Sequence, residues 1–195
     1  MLSFDDALKV LKTEIKEKRV IHTLGVVGVA KELARIYNVN EDDAAMAALL
    51  HDCAKYYSEN DKIKLCKKDK IKLNKIELSN PELLHAKAGA VLAREKYGVT
   101  SNEIYTAIFY HTTGRANMST LEKIIYIADY IEPGRTHSDK LPMYRELAKT
   151  DLDKTVALIL DETVKYLDMR ENNKVKSIEP TTKEAYEYYK EFLGE

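Results

Sequence analysis

The chain has 195 residues, with 31 Lys+Arg set against 32 Asp+Glu for a formal charge of −1. Without a basic field a duplex nucleic acid is excluded as the main partner, so any anion must be recognised locally. No apolar run spans a bilayer, the start lacks a secretory pattern, and Cys53 and Cys66 have no CxxC or disulfide-framework spacing, so a cytoplasmic chain without a membrane partner is expected.

Seven Gly and four Pro punctuate the sequence, and apolar residues recur at helical spacing nearly throughout. The expected fold class is all-α, a single helical bundle over residues 1–195. Ser3 with Asp6 opens a first helix whose Leu8, Leu11 and Ile15 share a face. It fades into Lys16–Arg19, and 20–37 forms a second helix. Asn40 caps a third, which carries the run Ala44-Ala-Met-Ala-Ala-Leu-Leu50. Residues 56–80 are Lys-rich and suggest a short helix over 59–66, then a loop turning at Asn74. Asn80-Pro81 opens a helix that reaches Tyr97 and stops at Gly98. Thr100–Glu103 and Ser119–Glu122 have capping-box spacing, opening helices that end at His111 and Pro133-Gly134. A polar connection holding Arg135, His137 and Asp139 follows. Helices over 152–168 and 182–192 close the chain, parted by the polar stretch 170–180. No strand-like alternation or repeat is present.

The buried run of the third helix ends in His51 and Asp52, where an ordinary polar loop is expected. A carboxylate at the end of so apolar a helix needs a charged partner, and a metal ion is the usual one. His22 shares a face with Gly25, Val26 and Val29, as a core histidine bonded to a carbonyl or as a ligand. Asp129 lies within the apolar segment 124–131 with no Lys or Arg one turn away. It suits a metal, or else pairs with a remote Arg or caps a neighbouring helix. His85 sits one turn into its helix beside Ala88, Gly89 and Leu92, and His111 ends its helix. Imidazoles and carboxylates delivered together from separate helices suit iron, manganese or zinc, as one or two ions. Cys53 reads as a small buried thiol, His137 as solvated, and the tyrosines as core and rim rather than a base-stacking platform.

The series His22…His51-Asp52…Asp129 resembles the H…HD…D signature of the HD-domain metal-dependent phosphohydrolases, an all-α family. More narrowly, His51-Asp-Cys-Ala-Lys55, Leu84-His-Ala-Lys-Ala-Gly89, Tyr110-His-Thr-Thr-Gly-Arg115 and Tyr126-Ile-Ala-Asp-Tyr-Ile-Glu-Pro-Gly-Arg135 resemble its bacterial YqeK branch. Those are symmetrical bis(5′-nucleosyl)-tetraphosphatases, which cut diadenosine tetraphosphate into two ADP. The match runs over about 19–135, which makes that segment the metal-site core, with helices over 152–192 packing on it.

The resemblance implies His22, His51, Asp52 and Asp129 as metal ligands and iron as the metal, with Mn, Zn or Ni as alternatives. His85 and His111 become ligands of a second ion or contacts to phosphate. Catalysis by attack of a metal-bound hydroxide on an inner phosphorus would use Asp52, Lys55, His85 and His111. Arg19, Lys55, Thr112, Thr113, Arg115 and Arg135 lie at helix ends and suit contacts to a nucleotide's phosphates. Lys174, within Asn172–Ser177, belongs to a flap over the nucleoside or to a plain loop. Other HD-type activities, on deoxynucleotides or a cyclic nucleotide, stay open, as does a non-catalytic, metal-stabilised nucleotide sensor. So does a homodimer.

Overall fold

The computed structural model describes residues 1–171 and 178–194, without the side chains of 169–171. Lys174 and its stretch lie outside the described residues. Every regular element among those described is helical, as the spacing of apolar residues predicts.

Several starts follow the sequence signals. Ser3 Oγ accepts from Asp6 N–H at the head of α1 (Phe4–Lys12). Asn40 Oδ1 accepts from the N–H groups of Asp42 and Asp43 at α3 (Glu41–Leu50). Ser119 and Glu122 close a reciprocal capping box at α8 (Thr120–Ile131), satisfying two backbone donors that the helix cannot. Ser119→Ala is expected to lower stability by about 1 kcal/mol. Urea unfolding checks this, and an unshifted midpoint contradicts it.

Other boundaries differ from expectation. α2 (Glu17–Ile36) starts within the charged segment, on a Lys16 whose side chain makes no capping bond. Lys, Glu and Arg are good helix formers, so the charge run is the helix's solvated first turn rather than its boundary. α4 covers Glu59–Lys68. Asn74 is not a turn but the cap of α5 (Lys75–Ser79), with Glu77 completing a capping box. Asn80-Pro81 opens a 3₁₀ turn (Pro81–Leu83), and α6 (Leu84–Glu95) begins only after it, which puts His85 in the first turn. Ser101, not Thr100, caps α7 (Asn102–Tyr110). The connection after α8 holds an unexpected helix, α9 (Leu141–Leu147). α10 (Leu152–Glu171), α11 (Pro180–Tyr189) and a 3₁₀ turn (Lys190–Leu193) complete the chain.

α3 is the axis. Residues 44–50 are all buried, because α1, α2, α6, α7 and α8 pack around it. A helix with no polar face has no other stable position. Its C-terminal end lies inside the bundle, and the chain there is His51 and Asp52, both buried. α10 packs on α8, and α11 on α10. No helix among the described residues is long and apolar enough to cross a membrane.

Candidate metal centre

Four imidazoles share one device. His51, His85 and His111 each turn Nδ1 onto the carbonyl three residues back, at 2.6 Å from Ala48 O, 2.5 Å from Glu82 O and 2.8 Å from Ile108 O. His22 turns Nδ1 onto Glu132 Oε1 at 3.1 Å. A carbonyl or carboxylate only accepts, so each Nδ1 carries the proton and each Nε2 is left with its lone pair.

Those Nε2 atoms converge on two carboxylates. Asp52 Oδ1 is 3.1 Å from His85 Nε2 and 3.7 Å from His111 Nε2, and its Oδ2 is 3.5 Å from His51 Nε2. Asp129 Oδ1 is 3.1 Å from His22 Nε2 and 3.8 Å from His51 Nε2. His85 Nε2 and His111 Nε2 lie 3.2 Å apart. His22 Nε2, His51 Nε2 and Asp52 Oδ1 are buried without a hydrogen-bond partner among the described residues. Lone pairs of imidazole and carboxylate facing one another at these distances repel unless a cation or proton lies between them. Two triads have ligand atoms within 4.8 Å of one another, His22–His51–Asp129 and His51–Asp52–His111, and His51 belongs to both. Neutral imidazole and carboxylate are the donors that iron, manganese and zinc accept, so the residues fit a divalent cation.

The carboxylates are kept ionised for that task. Burial pushes Asp52 up, but the charge of His51 in its protonated form and contacts from His111 and His85 hold it well below its ordinary value, a role that a cation between them would take over. Burial opposes ionisation of Asp129 too, and is outweighed by the His22 contact and the charges of His51 and Arg135. Burial lowers His111, which favours the neutral imidazole.

The basic residues divide. Arg19 Nη1 donates to Asp52 Oδ2 at 2.9 Å. Arg135 donates from Nη2 to Asp129 Oδ1 at 2.6 Å and from Nε to Asp129 O at 2.9 Å. Asp129 therefore does have an arginine, supplied across the Pro133-Gly134 turn rather than from its own helix face. Lys55 Nζ lies 3.5 Å from His85 Nδ1. Thr112 sits beside His111, Asp129 and Arg135 on a cavity of about 280 Å³, its Oγ1 buried and without a partner among the described residues. Two further residues expected at the phosphates are engaged elsewhere. Arg115 is a bidentate partner of buried Glu122, at 3.0 and 2.7 Å, and faces a different cavity with Lys72 and Phe109. Thr113 donates to Gly114 O at 2.9 Å and has no hydroxyl proton left for a phosphate.

Three supporting residues were not foreseen. Glu132, 4 % exposed, takes His22 Nδ1–H on Oε1 and Gly134 N–H at 2.6 Å on Oε2. It fits only because Gly25 faces it, since a Cβ there would be 2.6 Å from Glu132 Oε2. Arg145 of α9 donates to Ile131 O at 2.8 Å and Glu132 O at 3.1 Å, holding the turn that carries Arg135. Glu162 of α10 accepts from Tyr130, Ser138 and Tyr144 at 3.1, 2.9 and 2.8 Å, tying the same connection to the C-terminal helices. Glu132 stands within a quoted block, three residues after Asp129, which was its one sequence signal.

The HD-domain family matches residues 19–134. A symmetrical bis(5′-nucleosyl)-tetraphosphatase of Halalkalibacterium halodurans is 40% identical over 161 residues, 83% of this chain and 85% of that protein. That of Bacillus subtilis is 38% identical over 171 residues, 88% of this chain and 90% of its own. A Clostridium acetobutylicum crystal structure, described as an HD superfamily hydrolase involved in NAD metabolism, superposes with a TM-score of 0.91 at 39% identity, covering 97% of both chains. This chain belongs to the HD-domain family and, within it, to the symmetrical bis(5′-nucleosyl)-tetraphosphatases.

Proposed function

We propose that this chain is a metal-dependent hydrolase that cuts dinucleoside tetraphosphates at the central anhydride, turning diadenosine tetraphosphate and water into two ADP. The observation that carries this is the set of four imidazoles with Nδ1 tied back and Nε2 aimed at Asp52 and Asp129. The names of the relatives point the same way. We read residues 1–195 as one HD-type domain, working in the cytoplasm, where free Cys53 and Cys66 stay reduced.

His22, His51, Asp52 and Asp129 would hold a first cation, iron in our reading, with Mn, Zn or Ni suited to the same donors. His85 and His111, with Asp52, would hold a second ion or meet phosphate directly. A cation there supplies a water of lowered pKa and positive charge beside a phosphoryl oxygen. The chain's own residues do the rest. Asp52 Oδ1, without a donor of its own among the described residues, accepts a hydrogen bond from the attacking water and so orients it toward an inner phosphorus. Lys55, beside His85, offsets charge on the leaving diphosphate, as do Arg19 and Arg135 once phosphate oxygens compete for their donors. The Thr112 hydroxyl donates to the phosphate on its side.

Protein stripped by a chelator should lose turnover and regain it on reconstitution with one of iron, manganese, zinc or nickel. ADP should be the sole nucleotide formed from diadenosine tetraphosphate. A deoxynucleoside triphosphate or cyclic nucleotide turned over faster than the dinucleotide would overturn the reading. So would a metal-loaded protein that binds nucleotides and turns none over.

A further inference from the structure

A dinucleoside tetraphosphate has two nucleosides, and a cut at the central anhydride leaves one on each side of the reaction centre. The metal-ligand cluster opens in two directions. One is the cavity holding His111, Thr112 and Asp129. The other is a larger cleft of about 570 Å³ at the N-terminal end of α2, floored by His22 and Gly25. Arg135 lines both, standing between them.

The second cleft combines two features that a nucleoside phosphate needs. The first is charge. Lys16, Lys18, Arg19 and Arg135 line it, against a single carboxylate, Glu132, already engaged by His22 and Gly134. Neither Lys16 nor Lys18 has an ion-pair partner among the described residues, whereas Arg19 reaches inward to Asp52. Positive charge therefore runs from the cluster to the rim, the path of an extended polyphosphate.

The second feature is an apolar face. Ile21 and Tyr56 line the cleft and remain 67% and 45% exposed. An isoleucine that open on the second helix of a tightly packed bundle has no part in the core. Lys16 Nζ lies 5.4 Å from the centroid of the Tyr56 ring, so the ring is flanked by a cation and stands beside open space. A flat ring next to an aliphatic wall and a run of cations suits stacking of a base whose phosphates lead inward. Tyr56 is in this respect unlike Tyr97, Tyr144 and Tyr189, which are fully buried.

The geometry points to this cleft as the subsite for the second nucleoside of the substrate, with Tyr56 and Ile21 holding the base and Lys16, Lys18 and Arg19 the adjoining phosphates. The inference rests on the proposed hydrolysis of dinucleoside tetraphosphates. It predicts that a dinucleotide is preferred to a nucleotide with a single base, which the metal cluster by itself does not.

The test compares diadenosine tetraphosphate with adenosine 5′-tetraphosphate, which keeps the four phosphates and lacks the second nucleoside. Wild type, Tyr56→Ala and Ile21→Ser are assayed on both in the metal-loaded full chain, with melting temperatures as a check on folding. Loss of one base-stacking contact should reduce the ratio of kcat/KM for the dinucleotide to that for the mononucleotide by about 5- to 150-fold in Tyr56→Ala, through KM. Ile21→Ser, at an exposed position, should reduce it in the same direction. A ratio unchanged in both variants overturns the subsite, even with full wild-type activity. Wild type inactive on both substrates overturns the subsite together with the proposed function, and the two failures are thereby told apart.

Discussion

Asp52→Ala is expected to lower kcat/KM on diadenosine tetraphosphate by roughly 10³-fold or more and to strip the purified protein of most of its metal. The size follows from its position. Among the described residues Asp52 is the one side chain that meets His51, His85, His111 and Arg19 together, at 3.5, 3.1, 3.7 and 2.9 Å. Its removal takes a ligand and the acceptor that orients the attacking water, and it leaves the Nε2 lone pairs of His85 and His111 with nothing anionic to share a cation with. The fold should survive. α3 is held by the apolar residues 44–50 and by the helices around it, and Arg19, whose side chain is a quarter exposed, can turn to water. Metal content, melting temperature and turnover on one preparation check this. A variant that keeps metal and activity would remove Asp52 from the site.

Glu132→Gln should lower metal affinity and turnover by about 10- to 100-fold, the usual cost of losing a group that orients a ligand. The change alters neither length nor volume to any extent, so the effect is one of hydrogen bonding. Both carboxylate oxygens face donors, His22 Nδ1–H and Gly134 N–H. A glutamine has one oxygen and must turn its amide NH₂ toward one of them. Turned to His22, it drives the imidazole proton to Nε2, the atom aimed at Asp129, and the ligand is lost to the wrong tautomer. Turned to Gly134, it opens the turn that carries Arg135. Metal titration into the apo-protein reads the first effect, and KM for the dinucleotide the second. Unchanged values in both would reduce Glu132 to packing.

The centre of this site was legible because its signals are local. Seven apolar residues followed by His51 and Asp52 already describe a buried helix end that needs a cation. The spacing of Gly25, Val26 and Val29 from His22, and the apolar run around Asp129, put both on inner faces. Four ordered sequence blocks carried the family resemblance, and the relatives bear it out. What was missed depends on contacts distant in sequence or on competition for one group. Glu132 reads as the start of a turn, and its partner His22 is 110 residues away. α9 is only seven residues long, too short for a helical period to stand out, and its Arg145 serves the carbonyls of Ile131 and Glu132, which no sequence pattern reveals. Arg115 and Thr113 have the residue types for phosphate, yet the capping-box carboxylate of Glu122 and a neighbouring carbonyl had prior hold on them.

Hydrolysis of diadenosine tetraphosphate in ¹⁸O-enriched water reports both the bond cut and the atom attacked. Attack on an inner phosphorus with ADP as the leaving group gives ADP alone, with one label for every two ADP molecules, always on the β-phosphate. ATP and AMP among the products, or label on an α-phosphate, would mean that the cluster of His22, His51, Asp52 and Asp129 directs the cut to an outer anhydride and that the function proposed for it is wrong.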